Sequence, residues 1–169
     1  MKLHIGGEEV KYGWKILNAQ SKPGVDFIGD ITDLSSFQEN SFEEIYASHV
    51  LEHVRQSEVI DSLKGINRIL FKGGKLYISV PDLDILAHSF LSPWLSPAEK
   101  YHVMRMIFGG QVDEFDYHYF GWNQQFLFDA LSESGFSKFD RVEGFGIFKD
   151  TSEFKPFGFP ISLNVVAIK

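Results

Sequence analysis

A three-layer α/β sandwich, built on a mostly parallel seven-stranded sheet that ends in an antiparallel hairpin, is the architecture this sequence predicts. Three observations carry it. Ile45-Tyr46-Ala47 lacks clean alternation, as in a strand buried on both faces, and residues 76–80 read as another buried strand. Between them Val59, Ile60, Leu63, Ile66, Ile69 and Leu70 recur at helical spacing. Two closing runs, 139–148 and 162–168, are joined by a Pro- and Phe-rich loop that returns the chain antiparallel.

Lys2-Leu3-His4-Ile5 reads as the first strand and runs into Gly6-Gly7, where the backbone can turn sharply or approach a ligand. Short strands follow at 14–17 and 25–28, then a longer one at 42–48. Little room is left between Glu8 and Gly13, so the first helix is expected to be much shortened. Ser57 is a reasonable N-cap for the next helix, and Lys72-Gly73-Gly74 its stop. Pro81 ends the strand at 76–80. Ser96-Pro97-Ala98-Glu99 combines an N-cap, a proline at the first helical position and a capping-box glutamate, which predicts a helix to Phe108 before Gly109-Gly110. A last helix fits 123–134, closed by Gly135. No repeat or linker interrupts the chain, so residues 1–169 read as one domain. Its stretch at about 84–122 is longer than a connection needs and is expected to form a lid over a pocket.

Composition narrows the partners. With 16 Lys+Arg against 23 Asp+Glu the net charge is −7, which disfavours a nucleic acid held by phosphate contacts. Cysteine is absent, removing disulfides, thiolate catalysis and Cys-ligated metals, and fitting a cytoplasmic setting. No secretory segment or membrane-length apolar run is present. Aromatic residues make up 15% of the chain and crowd its last third. They read as core filling, as an apolar lid, or as a homodimer surface.

In a parallel α/β sheet, ligands sit beyond the carboxyl ends of the strands. The residues there are Gly6, Gly7 and Glu8, then Asp30, then Ser48-His49-Val50-Leu51-Glu52-His53. Two histidines around a glutamate suggest a metal, but the order is not H-E-x-x-H and no third ligand is evident, so no metal site is expected.

Taken together, Lys2-Leu3-His4-Ile5-Gly6-Gly7, Gly13-Trp14, Val25-Asp26, Gly29-Asp30-Ile31, Ser41-Phe42-Glu43-Glu44-Ile45-Tyr46, Ser48-His49-Val50-Leu51-Glu52-His53 and Gly73-Gly74-Lys75-Leu76-Tyr77-Ile78-Ser79-Val80-Pro81-Asp82 resemble the ordered motifs of class I S-adenosylmethionine-dependent methyltransferases. The likeness is strongest to the small predicted methyltransferases with an S-H-V-L-E-H core. It covers about the first half of the chain and implies a Rossmann-like fold with S-adenosylmethionine as cofactor. It further implies methyl transfer to a small-molecule or saccharide acceptor, at oxygen or nitrogen. By this resemblance Gly6 and Gly7 let the backbone approach the methionine portion, Asp30 accepts from the adenine amino group, Ile31 flanks the ring, and Ser48 and His49 lie beside the methyl donor. The enzyme's task would be alignment of donor and acceptor.

Two positions depart from the pattern. Gly7 and Glu8 stand where the family has cysteine and a second glycine, and Asn18 replaces an acid that accepts from the ribose hydroxyls. Weaker cofactor binding is expected, with Asn18→Asp restoring it. His118, among rings in Asp116-Tyr117-His118-Tyr119-Phe120, is the candidate general base, with His49 the second candidate catalytic residue. Two other functions compete. One is a non-catalytic binding domain with a degenerate cofactor loop. The other is a dinucleotide oxidoreductase, using Asp26 about twenty residues past Gly6, although no G-x-G-x-x-G precedes it.

Overall fold

The computed structural model describes residues 1–169. One seven-stranded sheet contains β1 (Lys2–Ile5), β2 (Trp14–Asn18), β3 (Phe27–Ile28), β4 (Phe42–Ser48), β5 (Leu70–Pro81), β6 (Lys138–Val142) and β7 (Ser162–Ile168). The strand order is β3-β2-β1-β4-β5-β7-β6. Pairings from β3 through β5 are parallel, whereas β7 is antiparallel to both β5 and β6. Strand order reverses beside β1, so the ends of β1 and β4 form the switch point.

Helices α1 (Val59–Ile69) and α4 (Gln124–Glu133) cover one face of the sheet. Val59, Leu63, Ile66 and Ile69 of α1 are buried, as their spacing predicts, in a core shared with Leu3, Ile45, Ile78 and Val165. Truncating Ile66 to alanine there would cost about 2–5 kcal/mol. Helix α3 (Pro97–Phe108) carries the expected capping box of Ser96 and Glu99, and Gly109 is its C-cap. Asn123 caps α4, accepting from the Phe126 amide at 2.9 Å.

Local assignments differ in several places. The shortening of the first helix goes to completion, since residues 6–13 contain no helix. Ser57 does not cap α1; Glu58 occupies that position without a side-chain bond. Lys72-Gly73-Gly74 does not stop the helix either. Strand β5 begins at Leu70, and the glycines fall in an irregularity where pairing jumps from Phe42 opposite Leu70 to Glu44 opposite Lys75. Strands β3 and β6 are shorter than expected. Helix α2 (Leu83–Leu91) lies in the stretch expected to form a lid; Asp82 caps it by accepting from the Asp84 and Ile85 amides.

The opposite sheet face is covered by loop 143–161 rather than by helices. Phe148 lies against His4, with ring centres 4.0 Å apart, and meets Tyr46 and Trp14 edge-on. Asn164 of β7 ties the loop down twice, donating to the Glu143 and Ser152 carbonyls at 3.0 Å each while accepting from Ser79. Tyr46 donates to Asp150 at 2.8 Å from the sheet's centre. The third layer is therefore present, made of loop. No helix is long and apolar enough to cross a membrane.

Candidate active site

Two neighbouring cavities open at the carboxyl ends of the parallel strands. The larger, about 400 Å³, runs across the ends of β1 and β2, the turn after β3 and the turn after β4. Gly6, Glu8, Asn18, Asp30, Ile31 and His49 all line it, so the fold brings together six of the residues predicted from sequence. The smaller, about 330 Å³, is lined by His118 together with Pro81, Arg105, Thr151 and Phe154. His49 and Asp116 face both cavities.

Glycine is required at the first turn. Gly6 has φ +74°, and a Cβ there would lie 2.6 Å from the Val50 side chain. A Cβ on Gly7 would strike the His4 ring at 2.3 Å. Gly7 thus backs onto the sheet and does not line either cavity, but it permits the tight approach.

Asn18 serves the protein backbone. Its amide nitrogen donates to the Gly7 carbonyl at 3.0 Å and its oxygen accepts from the Gln20 amide at 2.9 Å. The expectation that Asn18→Asp would improve binding is reversed, because an aspartate cannot donate to Gly7. Glu8 does not seal the cleft: its carboxylate is exposed and paired with Lys22 across the cavity wall. Asp30 folds one oxygen into a turn, accepting from the Thr32 amide at 2.7 Å and the Thr32 hydroxyl at 2.5 Å, while its other oxygen takes no protein hydrogen bond. Ile31 is buried in the core and forms part of the floor.

Asp26, the acid of the dinucleotide reading, is spent within the sheet. It accepts from Lys15 at 2.6 Å and from the Ile16 amide at 2.9 Å, and these bonds lower its pKa. It does not line the larger cavity. Ser48 lines neither cavity, and its hydroxyl is buried without a partner.

His49 follows β4 with φ +52°, an uncommon backbone for a side chain of this size and one that costs on the order of 1–3 kcal/mol. The turn directs its ring between the cavities. Ser162 donates its hydroxyl to the Thr151 carbonyl at 3.0 Å, so at 2.8 Å the same oxygen accepts from Nε2–H of His49. Nδ1 of His49 then faces Oε1 of Glu52 at 3.3 Å. Burial pushes the Glu52 carboxyl up, but His49, helped by His53 and His118, brings it below the ordinary glutamate value. Burial lowers His118, with Glu52 opposing and His53 and His49 assisting.

Sequence reasoning missed Lys22 as a cavity residue; Val50 and His53 were placed only as part of the strand-end segment, and 112–116 only as part of the broad lid stretch. Asp113, Glu114 and Asp116 join Glu8 and Asp30 there, against the single lysine Lys22, so the cavity is acidic and suits a ligand bearing positive charge. The aromatic third divides its labour: Trp122, Phe136 and Phe148 are core, Phe115 and Tyr119 line the larger cavity, and Phe154 the smaller.

Two adjoining cavities stand at the switch point of this strand order, the place where α/β proteins with parallel sheets bind their ligands. The segment at its heart is more specific: a family model described as a methyltransferase domain matches residues 5–78. Solved structures share the fold across nearly the whole chain. A SAM-dependent methyltransferase of Thermotoga maritima is 18% identical, with 99% of this chain and 81% of that one covered at a TM-score of 0.62. One from Archaeoglobus fulgidus is 14% identical, covering 99% and 85% at 0.63. The 1,6-didemethyltoxoflavin-N1-methyltransferase of Burkholderia thailandensis, solved with 1,6-didemethyltoxoflavin and S-adenosylhomocysteine, is 15% identical, covering 99% and 70% at 0.60. No curated protein matches the sequence. Residues 5–78 thus match a methyltransferase domain, and the chain as a whole has the fold of S-adenosylmethionine-dependent methyltransferases.

Proposed function

We propose that this enzyme methylates a hydroxyl or amine of a small-molecule acceptor, with cofactor in the larger cavity and acceptor in the smaller. The observation that carries the reading is the meeting of the two cavities at His49, between the Gly6 turn and His118. Bound S-adenosylmethionine supplies a methyl group on positively charged sulfur. The acidic lining of the larger cavity favours that charge, and the Asp30 oxygen left outside its turn is available to an amino group. The acceptor side holds few charges, and its volume of about 330 Å³ suits a compact molecule such as a heterocycle or a monosaccharide. The Burkholderia neighbour, which binds a small heterocycle, supports this class of acceptor. Burial lowers the His118 pKa and so favours the neutral ring, the form that can take the proton released by the acceptor. The segment around 84–122 acts as the lid, with residues 112–116 its tip.

Titration calorimetry tests the cofactor half directly. S-adenosylhomocysteine should bind and NAD should not, and Asp30→Ala should weaken the former about tenfold or more. Binding of NAD alone, or unchanged affinity in the variant, would overturn the assignment of this cavity.

A further inference from the structure

Glu52 and His53 meet His118 in a cluster that a role for His118 in proton transfer does not by itself explain. Glu52 is 1% exposed, and neither carboxylate oxygen accepts a hydrogen bond. Its nearest charge partner is the His49 ring at 3.3 Å. A buried carboxylate in that condition is costly unless something positive satisfies it. One ligand atom from each of Glu52, His53 and His118 lies within 4.8 Å of the others. Small side-chain rotations would bring atoms so spaced onto one cation at the usual distance of about 2.0–2.2 Å.

The histidines are arranged for ligation. Nδ1 of His53 lies 3.1 Å from the Tyr117 carbonyl, which can only accept. The proton therefore sits on Nδ1 and the lone pair on Nε2, the outer-shell arrangement typical of a metal-binding histidine. The His118 ring stands edge-on to His53, with ring centres 4.8 Å apart. A backbone bond fixes the two segments together before any ligand arrives, the Tyr119 amide donating to the Glu52 carbonyl at 2.8 Å, while the His118 amide is anchored on the Phe108 carbonyl of α3 at 3.2 Å. The third ligand that the sequence lacked is supplied by the fold from about 65 residues downstream.

We propose that Glu52, His53 and His118 bind one divalent transition-metal cation of the zinc type in the wall between the two cavities. Two imidazoles and one carboxylate suit zinc or cobalt better than magnesium or calcium, which favour all-oxygen sites. Three protein ligands leave a fourth position open. His53 faces the cofactor cavity and His118 the acceptor cavity, so that position is within reach of an oxygen or nitrogen lone pair on the acceptor. The site goes beyond the methyl-transfer reading and changes one part of it: with metal bound, the His118 lone pair is a ligand, and an acceptor held at the open position would lose its proton through coordination instead.

The test uses metal alone, so its outcome is independent of cofactor binding. Chelator-treated protein is titrated with zinc chloride by calorimetry, alongside His53→Ala, His118→Ala and the double variant, each checked for folding by circular dichroism. One zinc per chain is expected, with affinity lowered at least about tenfold by either substitution and further by both. Cobalt(II) loading of the unaltered protein gives a second readout: the intense visible absorption of a four- or five-coordinate ion. Zinc affinity equal in the unaltered and double-variant proteins, or only the faint absorption of octahedral cobalt, would overturn the site even with S-adenosylhomocysteine bound normally.

Discussion

The amide of Asn18 donates to the Gly7 carbonyl at 3.0 Å, joining the end of β2 to the turn after β1. The two turns that frame the larger cavity are thereby one unit, held by a group that a carboxylate cannot replace. Asn18→Asp should lower stability by about 1–3 kcal/mol, through the lost donor and a charge left facing a carbonyl. Urea denaturation measures the stability, and calorimetry should show no gain in cofactor affinity.

Gly6 is held at φ +74° against Val50. Gly6→Ala adds both a strained backbone and a contact at 2.6 Å, so a loss of about 1–3 kcal/mol is expected, together with weaker cofactor binding. Gly13, also at positive φ but with open space around it, is the control: alanine there should leave binding unchanged.

His4 makes stability pH-dependent. Buried under Phe148, its pKa falls from 6.5 to about 4, with Asp150 opposing the shift. Between these values the unfolded chain binds a proton that the folded chain does not. The associated stability is whole above pH 6.5 and is lost as pH falls toward 4, by about 3 kcal/mol in total. His4→Phe should flatten the dependence of the urea midpoint across that window.

His118→Ala should lower kcat about a hundredfold while leaving the dissociation constant for S-adenosylhomocysteine little changed, because the ring lines the smaller cavity and not the larger. A rate equal to that of the unaltered enzyme would remove His118 from the acceptor chemistry.

What the sequence disclosed follows from how local each signal is. The capping box at Ser96 and Glu99, the α1 periodicity and the unbroken apolar run of β5 act within a few residues of themselves, and each formed as read. Helix α2 went unread although Asp82 directly precedes an apolar run, because its high hydrophobicity blurs the amphipathic pattern. The use of Asn18 by Gly7, and the meeting of Glu52 with His118, depend on how crossovers pack. No spacing along the chain encodes those encounters. The same holds for Ser48, where a strand-end position gave the right neighbourhood and the alternating pleat turned the side chain away.

Loop 143–161 roofs the sheet through Phe148 and, a few residues on, accepts the Ser162 bond that orients His49. One strap thus performs an insulating duty and a steering duty. Warming that loosens the strap would blunt turnover while the strands beneath stay paired, so inactivation should precede global melting.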